Sequence, residues 1–193
     1  MLIFLTQVFL FLAMTLFQPE IIETKRLILR PVTLSDAQDF FELDSNPKVH
    51  LYLGNNPVKH INESVLMVRN ILDQYKSNGI GRLAIIKKDT DEFIGWSGLK
   101  YEQQLREDFS YYDLGYRLKE QFWGNGYASE AALASLEYGF KKLKLKEICA
   151  AALVENLASN FILNKIGMTP SGQFTYEDSL CNWYVIKKDD FNQ

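Results

Sequence analysis

The chain has 193 residues, 47% of them hydrophobic and 13% aromatic, with a formal net charge of −3. That is enough apolar material for one substantial core, and the length suits one domain better than two. No run of Lys or Arg exceeds a pair, which argues against a nucleic-acid footprint, and nothing in the bulk charge selects a partner.

Residues 1 to 20 form an apolar extension set apart from a single domain spanning 21 to 193. Its first 17 residues, M-L-I-F-L-T-Q-V-F-L-F-L-A-M-T-L-F, lack the basic start and small-residue cleavage site of a secretory signal. They fall short of the roughly 20 apolar residues that span a bilayer. Three readings stay open: a translated upstream stretch with the functional start at Met14, a helix docked on the domain or a partner chain, and a membrane anchor.

T-K-R-L-I-L-R-P-V, residues 24 to 32, alternates as a first strand that Pro31 closes near an edge. Ser35 or Asp36 caps a helix through about Asp44, and residues 46 to 57 form a loop. A second helix, about 62 to 77, places Val65, Val68, Leu72 and Tyr75 on one stripe. Residues 81 to 88 and 93 to 101 read as a hairpin, and 109 to 118 as the next strand. A helix follows whose seam is Ala128, Ala132, Ser135, Leu136, Gly139, Phe140 and Leu143. A strand at 147 to 154 and a short helix at 156 to 168, stopped by Gly167, come next. A closing hairpin of 172 to 177 and 181 to 188 turns at Asp178-Ser179. The order β-α-α-β-β-β-α-β-α-β-β predicts an α/β (α+β) fold, a mixed, mostly antiparallel sheet with helices on both faces.

The segment Q-F-W-G-N-G-Y-A-S-E-A, residues 121 to 131, carries the clearest chemistry. It sets Gly124 and Gly126 at the mouth of a helix, where unpartnered N–H groups and the macrodipole favour a phosphate. Small residues from Ala128 onward let that helix lie close on a sheet. A dinucleotide fold would place such glycines after the first strand with a third glycine, and here Ser129 stands instead. Cys149 and Cys181 form no C-x-x-C and read as buried structural thiols, and His50 and His60 have no matching ligand cluster, so no metal is expected.

With Y-Y-D-L-G-Y-R-L before it and N-L-A-S-N-F-I-L-N-K-I-G-M after the next strand, this segment resembles the GCN5-related N-acetyltransferase (GNAT) superfamily. Within it, the D-L-G-Y, W-G-N-G-Y-A-S-E-A and N-x-x-S-N phrases are similar to the RimJ/RimL-like branch of ribosomal-protein N-terminal acetyltransferases. The resemblance implies acetyl-coenzyme A as cosubstrate, with no metal, in a cytoplasmic monomer or homodimer. Gln121, Trp123, Gly124, Asn125, Gly126, Tyr127 and Ala128 would hold its phosphates. The main chain of Tyr116, Arg117 and Leu118 would pair with pantetheine, and Asn156 would touch the cofactor arm. The implied acceptor is an amine, most simply a protein N-terminal α-amine, with an aminoglycoside or polyamine as the alternative. A non-catalytic acyl-coenzyme A sensor is the rival class.

Acetyl transfer needs a neutral amine and a proton for the departing thiolate. The base expected is Asp113, in D-L-G-Y, with Glu177 as its alternative. Many relatives place a Tyr acid two residues before the Lys of K-x-G-[FM], but Leu163 stands there, so Ser159 is the expected donor. Tyr52 and Tyr184 fall where relatives form the acceptor wall. Near pH 7.4, the ordinary acidities of the two amine types leave roughly a quarter of α-amines but about one Lys in a thousand neutral, so an α-amine needs little base.

Overall fold

A computed structural model describes residues 19–106 and 109–191 of the chain. The apolar run of residues 1 to 17 lies outside the described residues. The sheet begins with β1 (Ile22–Glu23) and β2 (Leu27–Pro31). Among the described residues β1 pairs only with Ile28 and Leu29, which leaves β2 without a second neighbour at Pro31, a residue that has no N–H to offer one.

After a 3-10 turn at Leu34–Asp36 come α1 (Ala37–Asp44), α2 (Pro47–His50) and α3 (Ile61–Asn78). The short α2 breaks the expected loop of 46 to 57. Asn46 caps it by accepting from the Lys48 N–H at 2.9 Å, and Pro47 opens it. Four residues are too few for a hydrophobic period to reveal. On α3, Val68 and Tyr75 are buried as the stripe required, joined by Ile71, while Val65 and Leu72 are partly buried.

β3 (Arg82–Lys87), β4 (Glu92–Glu102) and β5 (Tyr111–Leu118) form an antiparallel meander. Next come α4 (Tyr127–Lys141), β6 (Glu147–Leu153), α5 (Leu157–Lys165), the hairpin β7 (Thr169–Tyr176) and β8 (Ser179–Lys187), and α6 (Lys188–Phe191). Among the described residues eight strands run in the order β1-β2-β3-β4-β5-β6-β8-β7, and the β5–β6 pair is the parallel one. The expected mixed, mostly antiparallel sheet is the one observed.

The closing turn differs by one residue from expectation. Ser179 pairs with Tyr176, so the turn residues are Glu177 and Asp178, at φ 44° and 63°. Two left-handed residues match the twist of the flanking strands, whereas Asp178-Ser179 would shift the whole pairing.

Among the described residues, hydrophobic clusters cover both faces of the sheet. α1 and α3 pack Phe40, Leu43, Val68, Ile71 and Tyr75 against Ala84, Ile86 and Phe93. On the other face α4 and α5 pack Leu136, Phe140 and Leu163 against Leu99, Leu114, Ile148 and Ala150. The small-residue seam of α4 has the role expected of it. A Cβ on Gly139 would stand 2.7 Å from the side chains of both Ile148 and Leu99. Both cysteines are free and buried, and burial pushes the Cys149 thiol up to about 12.

Candidate active site

The site is organised by an interruption in the sheet. β5 and β6 share one register pair, Asp113↔Cys149, beyond which the strands part. β5 continues through Leu118 with its other edge fully paired to β4, so the main chain from Gly115 onward has no β6 partner. An unpaired internal edge is a place for an extended ligand to add hydrogen bonds.

At the end of that edge the chain turns through a 3-10 segment, Glu120–Phe122, into the glycine turn. Gly124 and Gly126 adopt φ +74° and +77°, conformations that L side chains rarely take. A Cβ on Gly124 would meet nothing within 4 Å, so the turn is open. Among the described residues no side chain caps the first turn of α4, and the Glu130 N–H is the one that returns to the Gly126 carbonyl at 3.1 Å. Among the described residues the N–H groups ahead of it find no such partner, an arrangement that fits a phosphate. Gln121, Asn125 and Trp123 are exposed around this mouth, and Trp123 Nε1 donates to the Leu118 carbonyl at 2.9 Å. Tyr127 and Ala128 are half-buried and pack on the β2–β3 core.

Across the gap stands α5. Asn156 accepts from the Ser159 N–H at 3.1 Å, a cap that leaves the Ser159 hydroxyl to point elsewhere. It meets the Tyr116 hydroxyl, 3.0 Å away, while Tyr116 Oη also lies 3.2 Å from the Ser159 carbonyl. Burial pushes the Tyr116 phenol up to about 12, against the Ser159 hydrogen bond, so it keeps its proton at neutral pH. Leu163, where a Tyr acid was looked for, is 1% exposed within the α4–α5 core.

The opposite face of β5 is charged. Asp113 is bound by Arg82, whose guanidinium also donates to the Asp113 and Gly98 carbonyls. This guanidinium lies over Gly115, where any Cβ would collide with it. Burial pushes the Asp113 carboxyl up, and Arg82 works in the opposite sense. Arg117 binds Asp44, which is fully buried, and His50 Nε2 lies 3.5 Å from the same carboxylate oxygen. Trp96 lies between the two arginines, with ring-to-guanidinium distances of 5.3 and 5.1 Å.

The structure thus brings Tyr116 and Ser159 together on one face and sets Asp113 on the other, committed to Arg82. Tyr184 lies on the same side of the sheet as Tyr116. It is 3% exposed in the α4–α5 core, and its hydroxyl donates to Asn160 Oδ1 at 2.8 Å. Glu177 stands at the exposed tip of the β7–β8 hairpin, away from both pairs in the chain's hydrogen bonding. Tyr52 is half-buried in the turn after α2. Sequence reasoning missed Arg82, Asp44, His50 and Arg26, each of which gains its meaning from a partner 31 or more residues away or from tertiary burial.

The acetyltransferase (GNAT) domain family matches residues 26–169, which include both the glycine turn and Ser159. The chain belongs to that family. It is 34% identical over 174 residues to the uncharacterized N-acetyltransferase YoaA of Bacillus subtilis (strain 168), covering 87% of this chain and 97% of that protein. Among solved structures, an acetyltransferase from Agrobacterium tumefaciens str. C58 matches with a TM-score of 0.75 at 26% identity, covering 87% of this chain and 94% of that one. RimL, a ribosomal L7/L12 α-N-protein acetyltransferase solved with coenzyme A, matches at TM-score 0.72 and 19% identity, over 89% of this chain and 99% of RimL. Spermidine N-acetyltransferase from Vibrio cholerae, solved with coenzyme A and spermine, matches at TM-score 0.71 and 17% identity, over 88% of this chain and all of that one (100%). The fold is therefore that of the family, and the chain is a GNAT-type N-acetyltransferase.

Proposed function

We propose that this enzyme transfers acetyl directly from acetyl-coenzyme A to a primary amine, with no covalent enzyme intermediate, and that the acceptor is a protein or peptide N-terminal α-amine. The observation that carries the reading is the open β5 edge, which runs from the Tyr116–Ser159 hydroxyl pair to the uncapped mouth of α4. Phosphates fit the glycine turn and the first turn of α4. Pantetheine fits the main chain of Tyr116, Arg117 and Leu118, beside Asn156. The bound cosubstrate supplies an acetyl group activated as a thioester.

The residues then divide the proton work. Ser159 Oγ, backed by the Tyr116 hydroxyl, holds the proton that the sulfur takes up. The carboxylate that shares a face with Gly115, Asp113, is already engaged by Arg82, and an α-amine needs no other to become neutral, since roughly a quarter is neutral near pH 7.4; the proton its nitrogen sheds as the amide forms passes through water to Ser159 and replaces the one given to sulfur.

A polyamine or aminoglycoside is the alternative acceptor, supported by the fold shared with the spermidine enzyme. A polycation, however, calls for unneutralised acidic groups, and Asp113 and Asp44 each already bind an arginine. A purely sensory role for bound acyl-coenzyme A would leave the Tyr116–Ser159 pair without a task. A cytoplasmic location follows from the supply of acetyl-coenzyme A; among the described residues no helix is long and apolar enough to cross a membrane. Thiol release from acetyl-coenzyme A, measured against peptides with free N-termini, Nα-blocked lysine peptides and spermine, tests the reading. Release with free N-termini at least ten-fold above the others is expected. Preference for spermine would transfer the reading to small amines, and no release with any amine would sink catalysis.

A further inference from the structure

Glu130 lies in the first turn of α4, beside the N–H groups assigned above to the cofactor's pyrophosphate. A carboxylate there repels a phosphate and competes for the same donors. The fold turns it away. Thr24 Oγ1 donates to Glu130 Oε1 at 2.6 Å, the Arg26 N–H to the same oxygen at 2.9 Å, and Arg26 Nε to Oε2 at 2.6 Å. Burial pushes the Glu130 carboxyl up, but these bonds outweigh it and hold the group below its usual range, so it is anionic and neutralised by Arg26.

Arg26 does more than neutralise. Its Nη1 donates to the Asn125 carbonyl at 2.9 Å, and its guanidinium stacks 4.4 Å above the Tyr127 ring. Nη2 lies 3.6 Å from the point where a Cβ on Gly126 would stand. A trans peptide carries its C=O and the next N–H in opposite directions. Anchoring the Asn125 carbonyl on Arg26 therefore fixes the direction of the Gly126 N–H. The forked guanidinium is what lets one side chain serve a carboxylate and a carbonyl at once.

We propose that Arg26 is a positioning residue for the cofactor: it neutralises Glu130 and fixes the Asn125–Gly126 peptide, so that the mouth of α4 accepts a pyrophosphate. The proposal rests on the acetyl-coenzyme A reading. It assigns to the bend before β2 a part in binding that the glycine turn, about a hundred residues later in the chain, was expected to perform alone.

The test uses Arg26→Gln, Arg26→Lys, Glu130→Gln and the Arg26→Gln/Glu130→Gln double variant, with calorimetric binding of coenzyme A and steady-state kinetics. Arg26→Gln should weaken coenzyme A and raise the KM for acetyl-coenzyme A about 10- to 100-fold. Saturated kcat should stay within about three-fold, and the amine KM should not move. Arg26→Lys keeps the charge without the fork and should fall between. Removing Glu130 from the Arg26→Gln background should recover much of the lost affinity, because the exposed carboxylate is then gone. A residue that merely ties the first strands to α4 gives the contrary result, a double variant as weak as Arg26→Gln or weaker, and that result overturns the proposal. So does wild-type affinity in Arg26→Gln. The loss should persist with 3′-dephospho-coenzyme A and disappear with acetyl-pantetheine, which has no pyrophosphate; a loss that follows the 3′-phosphate or survives in acetyl-pantetheine also overturns it. If Arg26→Gln does not fold, Glu130→Gln alone decides: unchanged or tighter coenzyme A binding supports the proposal, and weaker binding overturns it. Wild-type protein that binds no coenzyme A at all would instead remove the acetyl-coenzyme A reading on which the proposal stands.

Discussion

The two faces of β5 are built on opposite principles. On the α4–α5 side, small residues, an open strand edge and two hydroxyls leave the main chain accessible. On the α1–α3 side, Arg82–Asp113 and Arg117–Asp44 fill the surface with buried ion pairs around Trp96. On the proposed reading, the first face meets a ligand with backbone donors and the second holds β5 in place while it does so. Substitutions on the first should therefore act on binding and turnover, and substitutions on the second on stability.

The largest effect belongs to the charged face. Arg82→Met would strand the Asp113 carboxylate in a site where it is 8% exposed. Breaking a buried pair on one side costs about 3–5 kcal/mol, which for a chain of this size lowers the Tm by roughly 6–20 °C. Arg82→Met/Asp113→Leu should regain much of that loss. Equal melting of Arg82→Met and wild type would show that the pair is solvated and would restore Asp113 as a free base.

The contrast also explains what the sequence revealed. Glycines at 124 and 126, small residues along α4 and the Asn156 cap act through local backbone geometry, and local geometry leaves a local pattern. Alternation placed Asp113 and Gly115 on one face correctly. It could not show that Arg82, two strands away, lies on that glycine, because an ion pair depends on register rather than on period. Tyr184 shows the same dependence: its strand was legible, but its burial and its hydrogen bond to Asn160 follow from how β8 pairs with β6, where Tyr184 sits opposite Ala150. The hairpin turn missed by one residue because Glu177 is an uncommon left-handed residue, and composition favoured its neighbours.

On the open face, Ser159→Ala should reduce turnover roughly 10- to 1000-fold, about 1.4–4 kcal/mol in the barrier. The loss should be similar at every pH, since raising pH does not supply the proton that sulfur needs. Tyr116→Phe should cause a smaller loss of the same kind, and the two should be non-additive, because the hydroxyls act as a pair. Additive losses, measured in a double-mutant cycle of kcat, would separate them into independent roles.

Gly126→Trp should remove the melting shift produced by coenzyme A, worth about 2.7 kcal/mol at a concentration 100-fold above Kd. A side chain there must hold φ +77° and would project beside Arg26 at the mouth of α4. Its own stability should fall by about 1–3 kcal/mol from backbone strain, so the comparison is between shifts with and without ligand rather than between Tm values. A full shift in Gly126→Trp would move the phosphates elsewhere.

The smallest effect returns to the charged face and concerns His50. The ring is 7% exposed, and among the described residues neither nitrogen has a hydrogen-bond partner. Burial first, and the Arg117 guanidinium second, lower its pKa from 6.5, while Asp44 opposes them. A depressed imidazole binds its proton more weakly folded than unfolded. Between the lowered folded value and 6.5, the unfolded chain therefore carries more protons, and stability falls as pH is lowered through that window. Above pH 6.5 the effect vanishes, and below the folded value it reaches its full size. Melting of the wild type between about pH 7.5 and 5 should show this decline ahead of the carboxylate losses that follow at lower pH. His50→Phe should flatten it without touching the coenzyme A shift. If the decline survives in His50→Phe, the acid sensitivity belongs to another group. If the variant loses its coenzyme A shift instead, the two faces of β5 are not energetically separate, and the division of labour between them fails.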